Sequence, residues 1–252
     1  MIQNPDKPLD ILEGAIKAQQ KLLTGFKIDP NSNKKQLSKA NQQKLLEAQI
    51  PNQFALSLTG EPTLYPKIGE LINEIRKRGA TSFLVTNGLQ PEVIRKLIKD
   101  RTLPTRLYVS VNTSNEKEYD KFHRSLKKDA WKKLNETLHL FTKINRKNKT
   151  VFRINLIKDL NMHDKFIPEF ANMIKKCQPD FIEVKGFMSV GFARERLGYD
   201  RMPNHEEMLN FVKKLEKKLK NSGYKLQDMH EASRAYVMCK NKRDLLIKKK
   251  DY

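Results

Sequence analysis

Phe54-Ala55-Leu56-Ser57-Leu58-Thr59-Gly60-Glu61-Pro62 is a largely apolar strand that runs without a spacer into a glycine-acid-proline turn. A strand with apolar residues on both faces suits a parallel sheet that is covered on both sides. Gly60 lets the backbone turn tightly and approach a ligand, Glu61 places a carboxylate at the strand end, and Pro62 fixes the exit. The same unit recurs downstream. The spacing predicts helix 66–78, strand 81–86, helix 90–99, strand 106–111, a short helix at 116–122, helix 129–145, strand 150–157, helix 163–177 and strand 180–185. Five such strands, four leading directly into an amphipathic helix, predict an α/β fold, a parallel β/α barrel with its chemistry at the carboxyl ends of the strands.

Working outward, residues 1–53 read as a helical lead-in to the barrel. Leu12, Ala15, Ile16, Gln19, Leu22, Leu23 and Phe26 recur at helical spacing, with a stop near Gly25. A turn is expected at Asp29-Pro30-Asn31-Ser32-Asn33, followed by an exposed Lys/Gln-rich stretch. Nothing upstream in this sequence has the strand pattern needed to pair with the outer side of 54–58, so that strand is expected at an uncovered edge of an open parallel sheet of five or six strands. At the other end, Asn204-His205-Glu206-Glu207 reads as a capping box that opens a last helix with Met208, Phe211, Leu215 and Leu219 on one face. A closing strand is expected at 224–227, and residues 240–252 read as a frayed basic tail.

Fifty Lys and Arg against 29 Asp and Glu give a formal net charge of +21, spread over Lys127-Lys128, Lys132-Lys133, the 143–149 run and Lys248 to Lys250. A polyanion partner, RNA before membrane, accounts for such an excess. No apolar run approaches the roughly 20 residues of a membrane span, and the start MIQNPDKPLD has no signal-peptide pattern, so a cytoplasmic protein is expected. Cys177 and Cys239 are far apart and form no CxxC pair, and the five histidines show no ligand spacing; no metal ligands are assigned.

In a parallel barrel the loops LTGEP, VTNG, SVNTSN, NLIKD and VKGFM converge on one mouth. Each polar residue there has two readings. Ser110 either meets a ligand or satisfies a strand-end backbone group, Arg153 either meets a ligand or pairs with Glu183, and Lys185 either acts catalytically or joins an ion pair at the mouth. Arg194 and Arg196, in VGFARERL, carry forks that match phosphate oxygens.

Gly60-Glu61-Pro62 at one strand end, followed one unit later by Thr86-Asn87-Gly88 at the next, resembles the second and third strands of the radical S-adenosylmethionine fold. Over LSLTGEPTLYP, FLVTNG, LYVSV, FIEVKGFMSVGFARERL and MPNHEE the chain resembles the tRNA 4-demethylwyosine synthase family, and the lead-in LEGAIKAQQKLLTGFK extends the likeness to nearly the whole chain up to Cys239. The resemblance implies a partial TIM-type (β/α) barrel of the radical SAM class over 54–239. Within it, about 180–239 would be the part specific to wyosine-base formation. It also implies that the first strand and the cysteine loop of the family lie outside this sequence. The implied reaction joins a two-carbon unit from pyruvate to N1-methylguanosine-37 of phenylalanine tRNA, using S-adenosylmethionine and a [4Fe-4S] cluster. By the same resemblance Gly60, Glu61 and Pro62 would hold the amino end of S-adenosylmethionine. Ser110 and Asn112 would serve its ribose or carboxylate, Asn87 and Arg153 would be weaker contributors, and the backbone at Phe187-Met188 would meet the adenine. Lys185 would face pyruvate or the methylguanosine, and Arg194 and Arg196 the tRNA phosphates. The departure is in the cysteines, because the family's CxxxCxxC loop has no counterpart here. Two readings stay open: the larger part of a wyosine-forming lyase, inactive alone and completed by a cluster-bearing N-terminal part such as a separate chain, or a degenerate, non-catalytic tRNA-binding homologue.

Overall fold

Alternation of short apolar strands with amphipathic helices builds one sheet in chain order. The structure, a computed structural model, describes residues 4–26, 42–145 and 147–247. The turn expected at 29–33 and the Lys248 to Lys250 cluster lie outside the described residues. Strands β1 (Gln53–Leu56), β2 (Thr81–Thr86), β3 (Arg106–Ser110), β4 (Lys149–Leu156) and β5 (Phe181–Gly186) are parallel neighbours. Two further strands, β6 (Lys225–His230) and β7 (Ala235–Cys239), form an antiparallel hairpin, and its second strand adds to β5, so the order is β1-β2-β3-β4-β5-β7-β6.

The helices α3 (Ile68–Lys77), α4 (Pro91–Lys99), α6 (Ala130–His139) and α7 (Ile167–Cys177) return the chain between parallel strands and cover one face of the sheet. Side chains alternate along each strand. Leu84, Leu107, Val109, Phe152, Ile154, Ile182 and Val184 are therefore buried against Ile72, Ile94, Leu134, Phe170 and Ile174 of those helices. A large-to-alanine change in this layer, such as Phe170→Ala, costs about 3–5 kcal/mol. Helix α1 (Pro8–Leu23) docks on α3 through buried Leu12, the Arg78–Glu13 ion pair and a Tyr65 hydroxyl that donates to the Asp6 carbonyl at 2.7 Å. A shorter helix, α2 (Gln42–Gln49), leads into β1, and α5 (Glu116–His123) follows β3. Helix α9 (His205–Leu219) opens with a capping box in which Asn204 and Glu207 each accept the other's backbone N–H at 2.9 Å.

The structure corrects the expected architecture in four places. It has seven strands and is mixed, because Ala235-Tyr236-Val237-Met238-Cys239 makes an apolar strand that inserts between β5 and the expected closing strand. That closing strand runs from Lys225 to His230 and is mostly solvated, so its sequence carries little alternation. Nor is the beginning of the tail frayed: Lys242–Leu245 forms a 3-10 turn whose Leu245 packs under the sheet. The first strand stops at Leu56, two residues short of its expected end, as the backbone reaches φ +93° at Leu58. It lies at a sheet edge, and Leu58 is 97% exposed.

Candidate functional site

The face of the sheet opposite the helices carries three rows of side chains, set by strand register. Tyr108, Val151, Phe181 and Cys239 form the lowest row, at the amino ends of the parallel strands. It is apolar and closed by Leu245, whose carbonyl accepts from an Arg106 guanidinium nitrogen at 2.9 Å; the same guanidinium stacks over the Phe181 ring at 4.8 Å. The middle row reads Ser110, Arg153, Glu183, Val237, and the upper row Asn155, Lys185, Ala235. Polarity thus increases toward the carboxyl ends of the parallel strands, where this fold class places its chemistry.

Arg153 Nε lies 3.2 Å from Glu183 Oε1, both side chains being partly buried. The pair fixes a carboxylate and a guanidinium on one face, and the terminal nitrogens of Arg153 have no protein partner among the described residues. Burial raises the Tyr108 phenol above its ordinary range, with the Glu183 charge adding to the effect, so the floor beneath this pair stays neutral. Lys185, one row higher, has no ion pair among the described residues.

Glu61 is the most heavily engaged of the expected residues. One carboxylate oxygen accepts from Thr63 N at 3.1 Å, Thr63 Oγ1 at 2.6 Å and Thr86 Oγ1 at 2.7 Å, and the other from Asn87 N at 2.8 Å. The carboxylate therefore clamps the loop after β1 to the end of β2. Asn87 is also occupied, its side-chain oxygen accepting from Leu89 N at 2.9 Å. Gly60 sits at φ +81° with open space on the side where a side chain would project, so its backbone is free to be approached from the mouth. Asn112 uses its side-chain oxygen to accept from Asn155 N at 3.1 Å, and its carbonyl accepts from Asn161 Nδ2 at 2.7 Å. Sequence reasoning missed Asn161, which also donates to Asn155 O and accepts from Ile157 N, tying the ends of β3 and β4 together. Its only signal was an asparagine in the NLIKDLN turn four residues after the strand.

The loop after β5 holds Met188, whose carbonyl accepts from Val190 N at 3.0 Å, while Phe187 N donates to Leu156 O at 2.8 Å. Arg194 and Arg196 follow on the short helix α8 (Phe192–Leu197), exposed and without acidic partners among the described residues. Two buried hydroxyls on the strand-end loops, Thr113 Oγ1 and Ser189 Oγ, have no hydrogen-bond partner among the described residues. A separate cleft of about 540 Å³, lined by Ser114, Trp131, His139, Glu169 and Lys176, lies among the helices and includes none of the expected residues.

Burial pushes the Cys177 thiol up to about 12 and raises Cys239 as well, so neither is a thiolate near neutrality. No group of three or more His, Cys, Asp or Glu among the described residues is disposed to hold a metal. An iron–sulfur cluster requires more thiolates than these two cysteines supply, so the residues of this chain do not fit one.

A profile of the radical SAM superfamily matches residues 33–171, more than half of the chain, and one for wyosine base formation matches residues 176–240. The sheet with its polar strand ends is therefore of the radical SAM class. Among curated proteins, the tRNA 4-demethylwyosine synthase of Pyrococcus horikoshii is 39% identical over 237 residues, covering 94% of this chain and 65% of its own length. The Saccharomyces cerevisiae enzyme is 33% identical over 242 residues, covering 94% of this chain and 28% of its own length. A solved structure of TYW1 with a lysine–pyruvate adduct bound superposes with a TM-score of 0.78 at 31% identity, covering 96% of this chain and 73% of that one. The chain belongs to the tRNA 4-demethylwyosine synthase family, and it spans just under two thirds of the archaeal relative's length.

Proposed function

We propose that this chain is the substrate-facing part of a wyosine-forming enzyme that joins a two-carbon unit from pyruvate to N1-methylguanosine-37 of phenylalanine tRNA in the cytoplasm. The observation that carries the reading is the polar rim at the strand ends, built by a chain 39% identical to a tRNA 4-demethylwyosine synthase. S-adenosylmethionine, when bound, would supply the radical initiator. The open backbone at Gly60 suits its ammonium group, which pairs well with backbone carbonyls and with the negative charge of Glu61 nearby. Pro62 fixes that loop, Asn87 is tied to it through Glu61, and Ser110, the side-chain nitrogen of Asn112 and the terminal nitrogens of Arg153, which have no partner among the described residues, would serve hydroxyls and a carboxylate. The backbone at Met188 would border the adenine. Lys185, without an ion pair among the described residues, would offer its ammonium to the carboxylate of pyruvate or to the methylguanosine, and Arg194 and Arg196 would meet phosphates.

The two cysteines of this chain cannot hold an iron–sulfur cluster, so the thiolates for one would come from a further segment or a separate chain. Such a segment has an edge to join, the open side of β1. The two buried thiols favour a second reading as well, that the chain alone is a tRNA-binding module without radical chemistry. In both readings tRNA binds, and its affinity falls steeply as salt rises because each neutralised phosphate releases counterion. Filter binding across a salt series is the test. Replacing Arg194 and Arg196 together with alanine should weaken binding by about 1–3 kcal/mol; affinity flat with salt, or unchanged in the double variant, would remove RNA from this face.

A further inference from the structure

We propose that the segment after β5 is a stacking platform for unpaired RNA bases, with Phe192 and Tyr199 as its aromatic faces. The inference rests on the tRNA reading and adds how the RNA is gripped. Within twelve residues the chain exposes Met188 (45%), Val190 (59%), Phe192 (81%) and Tyr199 (58%). A soluble domain rarely leaves so many large apolar side chains together in water without a use for them. Helix α8 buries none of its residues, so no core dictates that Phe192 lie where it does. Its ends are instead set by Gly191 at φ +53° and Gly198 at φ +71°, backbone conformations that glycine adopts without strain.

The charges decide the kind of occupant. The Arg194 guanidinium sits 5.1 Å from the Tyr199 ring centroid, a cation–π pair that leaves its remaining N–H groups to reach an anion. Exposed Arg196 lies two residues away; Glu195 and Asp200 offset the two arginines locally, and the basic surroundings come from the +21 of the whole chain. Two exposed aromatic rings flanking two arginine forks match single-stranded RNA, in which splayed bases are joined by phosphates; a duplex hides its base faces. A lipid surface or an acidic protein would use the arginines but has no planar rings to lie on Phe192. The platform follows β5 by six residues, on the rim that carries Lys185, so a base drawn from the stack would have a neighbour held beside the mouth.

The test uses the full chain with a labelled RNA hairpin bearing a seven-nucleotide loop, and a blunt RNA duplex of equal length. Phe192→Ala should weaken hairpin binding about five- to 150-fold and leave duplex binding unchanged, while Phe192→Trp should retain hairpin affinity. The salt slope should be the same in Phe192→Ala as in the parent, whereas Arg196→Gln should lower it by about one. Because α8 buries nothing, Phe192→Ala should melt like the parent. Equal hairpin affinity in Phe192→Ala would overturn the platform even with tRNA binding intact, and so would equal losses on hairpin and duplex. A change in molecular mass by sedimentation without a change in RNA affinity would assign the patch to a second copy of the chain. If the parent binds neither RNA in a salt-dependent way, the tRNA reading itself fails and the platform with it.

Discussion

Glu61→Ala removes one carboxylate that serves four donors, and the magnitude of the loss follows from which donors can find water instead. Hydrogen bonds to a charged group contribute about 1.5–3 kcal/mol each, so a plain sum over four would reach roughly 6–12 kcal/mol. That sum is too large. Asn87 is exposed, so its N–H turns to water, and the Thr63 hydroxyl can donate to the Gln90 side-chain oxygen 2.9 Å away. What remains is chiefly the Thr63 N–H and the buried Thr86 hydroxyl, for an expected cost of about 2–3 kcal/mol. Glu61→Gln keeps one acceptor but turns an NH₂ group toward a backbone N–H on the other side, and should cost about half as much. Urea unfolding monitored by circular dichroism would give both values. Hydrogen exchange supplies the local readout: the Asn87 amide, held at 2.8 Å by the carboxylate, should exchange at least about tenfold faster in Glu61→Ala. A Glu61→Ala protein within about 0.5 kcal/mol of the parent, with Asn87 protection unchanged, would refute the clamp.

Other consequences are as direct. Neither Cys177 nor Cys239 should react with a thiol reagent in the native protein, and both should do so in urea, since both are nearly inaccessible and the Cys177 thiol is held up to about 12; a titratable native thiol would contradict this packing. The Lys158 ammonium, and after it the Asn204 N–H, hold Glu207 below its ordinary 4.5, so its contribution to stability is present above that value and fades as pH falls through the lowered one. The melting gap between parent and Glu207→Gln should therefore be open at about pH 7 and shrink steadily as the pH is lowered below the ordinary carboxylate range. Leu58, almost wholly exposed at the β1 edge, should promote concentration-dependent self-association that Leu58→Lys suppresses without lowering the melting temperature; sedimentation velocity that is concentration-independent in the parent would count against an adhesive edge.

Residues 81–86 were legible as a strand to the residue, because β2 is flanked by parallel neighbours and buried at most positions, so its apolar run is complete. The β6–β7 hairpin was legible only in its outer strand, expected at 224–227 and found at Lys225–His230. Its inner strand, Ala235–Cys239, is apolar but only five residues long and was missed. The candidate site divides the same way. Ser110, Arg153 and Lys185 share a face by strand alternation alone, and the Arg153–Glu183 partnership follows once β4 and β5 are taken as neighbours. Glu61 as a clamp was invisible, because its donors lie up to 26 residues away and only the tertiary fold brings Thr86 and Asn87 to it.

The 3-10 turn at Lys242–Leu245 has a bearing on traffic. With Leu245 packed beside Tyr108, Val151 and Phe181 and latched by Arg106, the described residues close this face of the sheet at the amino ends of the parallel strands. From that side nothing small can reach Lys185 through the packed row. Under the proposed function a tRNA seated on the rim would act as a lid, so the small reactant would have to be inside before the tRNA settles.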